Sequence, residues 1–112
     1  MDIKDWQKEV DEWISQFEEG YWQPSSMMLR LIEEVGELSR EINHRYGQKP
    51  KKPSESEGDL ALEMADILFI IVCMANSLHI DLEKAFAAMM EKYRIRDSDR
   101  FTRKLPEQEP SN

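Results

Sequence analysis

The sequence predicts an all-α protein, a four-helix bundle, on three observations. Apolar residues recur three and four apart in four separate segments, strand-type alternation is absent, and Gly20 and Gly47 stand where the first two segments should stop. The first segment runs from Asp2 to Phe17 and sets Ile3, Trp6, Val10, Trp13, Ile14 and Phe17 on one face. Tyr21-Trp22-Gln23-Pro24 then reads as a loop. Ser25 or Ser26 is the expected cap of the second helix, which carries Met28, Leu31, Ile32, Val35, Leu38 and Ile42 to about Tyr46. Residues 48–58 (QKPKKPSESEG) hold two prolines, three lysines and no apolar side chain, the composition of a solvated connection. The third helix, about Asp59 to Leu78, is apolar nearly all round beyond Met64, as suits the middle of a bundle. Asp81 caps a fourth through Ala85, Phe86, Met89, Met90 and Tyr93 to about Arg96. Residues 102–112 form a polar tail with Pro106 and Pro110.

A chain of 112 residues is one domain, here residues 1–101. At this size it buries about two-thirds of its unfolded surface, so assembly with copies of itself is a natural supplement. Asp and Glu number 23 against 15 Lys and Arg, a net charge of −8 that argues against a nucleic-acid polymer as partner. It leaves a nucleotide open, because a metal inverts the local field. Cys73 is the single cysteine, so no disulfide framework or thiolate cluster is expected, and its apolar setting reads as core. The nearly apolar stretch Met64 to Ala75 is too short to span a bilayer and contains Asp66. No basic-then-apolar leader opens the chain, so a cytoplasmic protein is expected.

Two carboxylate pairs carry chemistry. Residues three apart share a helix face, so Glu34 and Glu37 point together, as do Glu63 and Asp66. A lone Glu-x-x-Glu often means no more than a solvated face. Asp66, however, lies between Met64-Ala65 and the run Ile67 to Val72, where a carboxylate must either reach a polar cavity or be desolvated at a cost of several kcal/mol. Gly36 in mid-helix costs about 1 kcal/mol relative to Ala and suggests that another helix or a ligand approaches there. Brought together, four carboxylates repel one another unless cations or protons compensate. Oxygen-rich ligation suits Mg²⁺, Mn²⁺ or Ca²⁺, and two divalent ions would balance four charges. A di-iron bundle takes Glu-x-x-His motifs, and neither pair contains His. His44 and His79, near helix ends, read as surface or capping residues.

The string Glu33-Glu34-Val35-Gly36-Glu37-Leu38, followed by Glu63-Met64-Ala65-Asp66-Ile67-Leu68-Phe69, resembles the EExxE…ExxD signature of the MazG family of all-α nucleoside triphosphate pyrophosphohydrolases. The likeness spans roughly residues 1–101, including Lys92-Tyr93-x-x-Arg96, and the length matches short single-domain members. The resemblance implies a MazG-like four-helix bundle completed by homo-oligomerisation as a homodimer or homotetramer. It also implies cleavage of a nucleoside triphosphate to its monophosphate and pyrophosphate, in the service of nucleotide house-cleaning. Mg²⁺, or Mn²⁺ in its place, would be held by Glu34, Glu37, Glu63 and Asp66.

On that basis Glu33 and Glu34 are candidates to orient or deprotonate the attacking water. Lys92, Arg96 and Arg100 recur every four residues and either meet phosphates or complement the helix dipole. Trp22, with Tyr21, either stacks on a base or anchors its loop, whereas Trp6 and Trp13 follow the apolar stripe of the first helix. Lys49, Lys51 and Lys52 lie in a connection that reads as a passive tether or as a basic flap over the substrate. Two other readings share these acids: a phosphoribosyl-ATP or a dUTP/dCTP pyrophosphohydrolase, and a non-catalytic helical dimer that regulates a partner.

Overall fold

The computed structural model describes residues 1–47 and 59–106; the connection 48–58 and the tail end 107–112 fall outside the described residues, and with them the tether and flap readings of Lys49, Lys51 and Lys52. The described residues form four helices and no strand: α1 (Ile3–Ile14), α2 (Pro24–Tyr46), α3 (Leu60–Ser77) and α4 (Leu82–Asp97).

Local chemistry sets each boundary. Asp2 and Asp5 close α1 with a reciprocal capping box, the Asp5 amide donating to Asp2 Oδ1 at 2.9 Å and the Asp2 amide to Asp5 Oδ2 at 3.1 Å. The helix ends at Ile14, about a turn before the expected Phe17. From there the chain winds through single turns, Phe17 meets Trp13 edge-on at 5.2 Å, and Gly20 takes the left-handed φ of 61° that reverses the path. Neither Ser25 nor Ser26 caps α2, contrary to expectation. The helix starts at Pro24, whose ring presets φ and whose missing N–H would have been an orphan donor, so Gln23 caps it without a side-chain bond.

Asp59 caps α3, accepting from the amides of Ala61 at 2.9 Å and Leu62 at 3.2 Å. That helix ends in a Schellman motif: the Ile80 amide reaches Ala75 O at 2.8 Å, the His79 amide reaches Asn76 O at 3.2 Å, and His79 sits at φ 57°. His79 is therefore a helix-closing residue. Asp81 caps α4 by accepting from the Lys84 amide at 3.1 Å.

The middle helix is α3, packed by α2 on one side and α1 on the other, while α4 leans on α1. Its buried residues, Ile70, Val72, Cys73 and Ala75, fall in its second half, while Leu62, Met64, Leu68 and Phe69 stay exposed in one chain. Taken whole, α3 is long and apolar enough by length and composition to cross a membrane, a property that counting from Met64 to Ala75 understated. Of that stretch 22% is buried in one chain, and Glu63 and Asp66 stand in its first half. Met27, Ile70 and Cys73 form the buried centre, with Val10, Ile14, Tyr21, Leu31 and Met74 packed around it. Burial pushes the Cys73 thiol up to about 11, so it stays protonated near neutrality, as a core residue should.

A polar lock that periodicity does not announce ties α1 to α3, α4 and the loop before α2. Gln7 Nε2 donates to Asn76 Oδ1 at 3.0 Å and to Ile80 O at 2.8 Å, while Gln7 Oε1 accepts from the Leu82 amide at 3.0 Å. Asn76 Nδ2 donates to Gln7 O at 2.9 Å and to the Tyr21 hydroxyl at 3.1 Å, and that hydroxyl donates to Asp11 Oδ1 at 2.7 Å. Partial burial and the bond to Asp11 push the Tyr21 phenol up to about 12. Tyr21 is thus held by its hydroxyl, as a loop anchor.

A single chain leaves much apolar surface uncovered. Ile32, Val35, Leu62, Leu68, Phe86 and Tyr93 are all exposed. Among the described residues nothing outside the helix's own backbone lies within 4 Å of where a Cβ on Gly36 would stand, so they do not make the close approach expected at that glycine.

Candidate metal centre and its cavity

The pairing of α2 with α3 sets the acids face to face. Oxygens of Glu34, Glu37 and Glu63 all lie within 4.8 Å of one another. Glu34 is 3% exposed, Glu63 is half-buried and Glu37 is exposed. Burial first, then the charges of Glu37, Glu34, Asp66 and Glu41 in that order, raise the Glu63 carboxyl above its ordinary range. Glu63 Oε2 is buried with no hydrogen-bond partner among the described residues. A buried carboxylate oxygen without a donor, aimed among other carboxylates, is what a divalent cation with oxygen ligands would satisfy. The donor set thus fits Mg²⁺ or Mn²⁺.

Asp66, one turn beyond Glu63, is exposed and stands outside that trio, yet its charge is felt at Glu63. Of the two outcomes open to a carboxylate among those apolar neighbours, a polar cavity or desolvation, Asp66 shows the first: with Glu34 it lines a cavity of about 370 Å³. Trp13, Tyr21, Trp22, Phe69 and Ile70 supply the apolar walls, Cys73 lies at the buried side, and Trp22 is 59% exposed at the rim. Acidic wall and aromatic wall share one space, with room for a planar ring beside a charged group.

Other predicted residues sit elsewhere. Glu33 is exposed and bonded to Arg30 at 3.2 Å, outside the trio. Lys92 and Arg96, on α4, and Arg100, beyond its end, are exposed and do not line the cavity in one chain. Arg96 makes a two-pronged bond to Asp97 at 2.9 and 3.0 Å and stacks over Tyr93 at 5.0 Å, while Arg100 reaches Asp97 at 3.5 Å.

Sequence reasoning missed Glu41 and Arg30. Glu41 is buried, adds to the negative field on Glu63 and lies 3.7 Å from Arg45. Its signal was the spacing 34, 37, 41, one continuous helix face. Arg30 lines the cavity and meets Glu34 at 2.7 Å, an i,i+4 pair that resembles any surface helix pair when read as text.

This fold, with paired acids meeting across α2 and α3, defines the class of all-α nucleotide pyrophosphohydrolases, hydrolases that act on acid anhydrides. The chain belongs to the MazG nucleotide pyrophosphohydrolase family, whose domain model matches residues 22–101. Protein YpjD of Bacillus subtilis is 56% identical over 102 residues, covering 91% of this chain and 92% of that protein. The crystal structure of Bacillus subtilis YpjD has a TM-score of 0.75 at 54% identity, covering 83% of this chain and 95% of that one. A Bacillus-conserved MazG protein, a nucleotide pyrophosphohydrolase, has a TM-score of 0.74 at 49% identity, covering 88% and 96%. Mouse dCTP pyrophosphatase 1 is 31% identical over 81 residues, covering 70% of this chain and 48% of its own length.

Proposed function

We propose that this protein is a Mg²⁺-dependent nucleoside triphosphate pyrophosphohydrolase, cleaving a (d)NTP to its monophosphate and pyrophosphate as a cytoplasmic house-cleaning enzyme. The observation that carries the reading is the trio of carboxylates within 4.8 Å, one of its oxygens buried without a donor, beside an aromatic cavity. Glu34, Glu37, Glu63 and Asp66 are the residues that would hold the cation. When bound, it would neutralise phosphate oxygens and acidify a water.

The chain's own groups do the rest. Trp22, at the cavity rim, is the candidate to stack on a base, with Phe69 and Ile70 lining the same cavity. Glu34, buried and fixed by Arg30, is positioned to orient the attacking water, and it is better placed for that than Glu33, which faces away. Lys92, Arg96 and Arg100 remain candidates to meet phosphates, although within one chain Arg96 and Arg100 share Asp97. The excess of exposed apolar surface supports assembly as a homodimer or homotetramer. Similarity to dCTP pyrophosphatases favours a pyrimidine deoxynucleotide among the substrates.

The cheapest test is a thermal melt with and without Mg²⁺, paired with light scattering. Saturating Mg²⁺ should raise the melting temperature by several degrees through selective binding to the folded state. The scattering mass at micromolar concentration should be at least twice that of one chain. A melt indifferent to Mg²⁺ and Mn²⁺, or a monomeric mass, contradicts the corresponding half of the reading.

A further inference from the structure

Among the described residues, Arg30 is the one basic side chain that lines the acid-walled cavity. Its guanidinium is shared between two carboxylates: Nη2 lies 2.7 Å from Glu34 Oε1 and Nη1 lies 3.2 Å from Glu33 Oε2. These partners differ sharply in setting. Glu34 is 3% exposed and Glu33 is 65% exposed, while the arginine side chain, at 49%, keeps one side toward the cavity. A carboxylate buried that deeply, with Glu37 and Glu63 beside it, needs a cation, and in this structure Arg30 is that cation. An arginine fork fits a phosphate as well as it fits a carboxylate.

We propose that Arg30 is an exchangeable counter-ion: it neutralises Glu34 in the metal-free protein and passes to the triphosphate when Glu34 takes up the divalent ion. The inference rests on the metal reading given above. It follows that Arg30 opposes the metal when metal comes alone and favours it when polyphosphate comes with it. The two ligands are therefore coupled through one side chain. Lys92, Arg96 and Arg100 do not line that cavity, and Arg96 and Arg100 pair with Asp97 instead.

The test compares wild type, Arg30→Gln and Arg30→Lys at pH 8 by two readouts that need no turnover. Mn²⁺ alone is titrated by paramagnetic resonance, and Mg²⁺ with inorganic tripolyphosphate is titrated by its stabilisation of the fold. Arg30→Gln should bind Mn²⁺ alone threefold to tenfold more tightly, yet bind Mg²⁺-tripolyphosphate at least tenfold more weakly. Arg30→Lys should keep the charge and recover part of the polyphosphate affinity. A role confined to holding Glu34 in place would weaken both affinities together. Parallel losses, or either expected shift missing while wild type binds Mn²⁺, overturn the exchange and leave the metal site standing. Wild type that binds no Mn²⁺ overturns the metal site and this inference with it.

Discussion

Glu34→Gln is expected to reduce turnover at least about a hundredfold, since removing an outer partner of a metal ligand alone costs ten- to a hundredfold. The residue is 3% exposed, reaches Glu37 and Glu63 within 4.8 Å and also faces the cavity, so it belongs to both halves of the site. The substitution preserves shape and removes one charge. In metal-free buffer the fold should therefore survive, because lost repulsion from Glu37 and Glu63 offsets the lost pairing with Arg30. The stabilisation by Mg²⁺ should shrink in step with activity. Near-native turnover at saturating Mg²⁺ would sink the assignment. Asp66→Asn should also cost activity, through the charge it projects on Glu63 and its place in the cavity wall.

The second large effect lies away from the acids. Asn76→Leu removes the side chain that accepts from Gln7 Nε2 and donates to Gln7 O and the Tyr21 hydroxyl. Leaving these half-buried groups short of partners costs about 2–3 kcal/mol, or about 8–15 °C in melting temperature for a chain of this length. The lock also holds Tyr21 and hence the neighbouring Trp22 at the cavity rim. KM should accordingly rise more than kcat falls. Melts at one fixed protein concentration check the stability and steady-state kinetics check the split. An unchanged melting temperature would mean that the hydrogen bonds are replaced by water at no cost.

Particular residues show what the sequence discloses. The 3.6-residue period exposes four helices, and Asp81 reads correctly as a cap, because an acid before an apolar run has few other uses. Ser25 and Ser26 mislead because Pro24 competes for the same helix start and needs no side-chain acceptor. Phe17 misleads because a periodic residue can pack from a turn as well as from a helix, as its contact with Trp13 shows. The acidic pairs are legible because carboxylates conflict with their apolar neighbours. Arg30, Gln7 and Asn76 are not, since polar residues on helices look alike as text whether they face water or lock a core. Gly36 misleads as well, since a Cβ there would meet open space among the described residues.

The central claim is that these carboxylates hold a divalent ion for the release of pyrophosphate. Phosphorus resonance of the products, from a panel of nucleoside and deoxynucleoside triphosphates, tests it most directly. With Mg²⁺ the preferred substrate should give monophosphate and pyrophosphate in equal amounts; chelation should stop the reaction and restored Mg²⁺ should restart it. Cleavage that continues under chelation, or that yields a diphosphate and orthophosphate, would contradict the account.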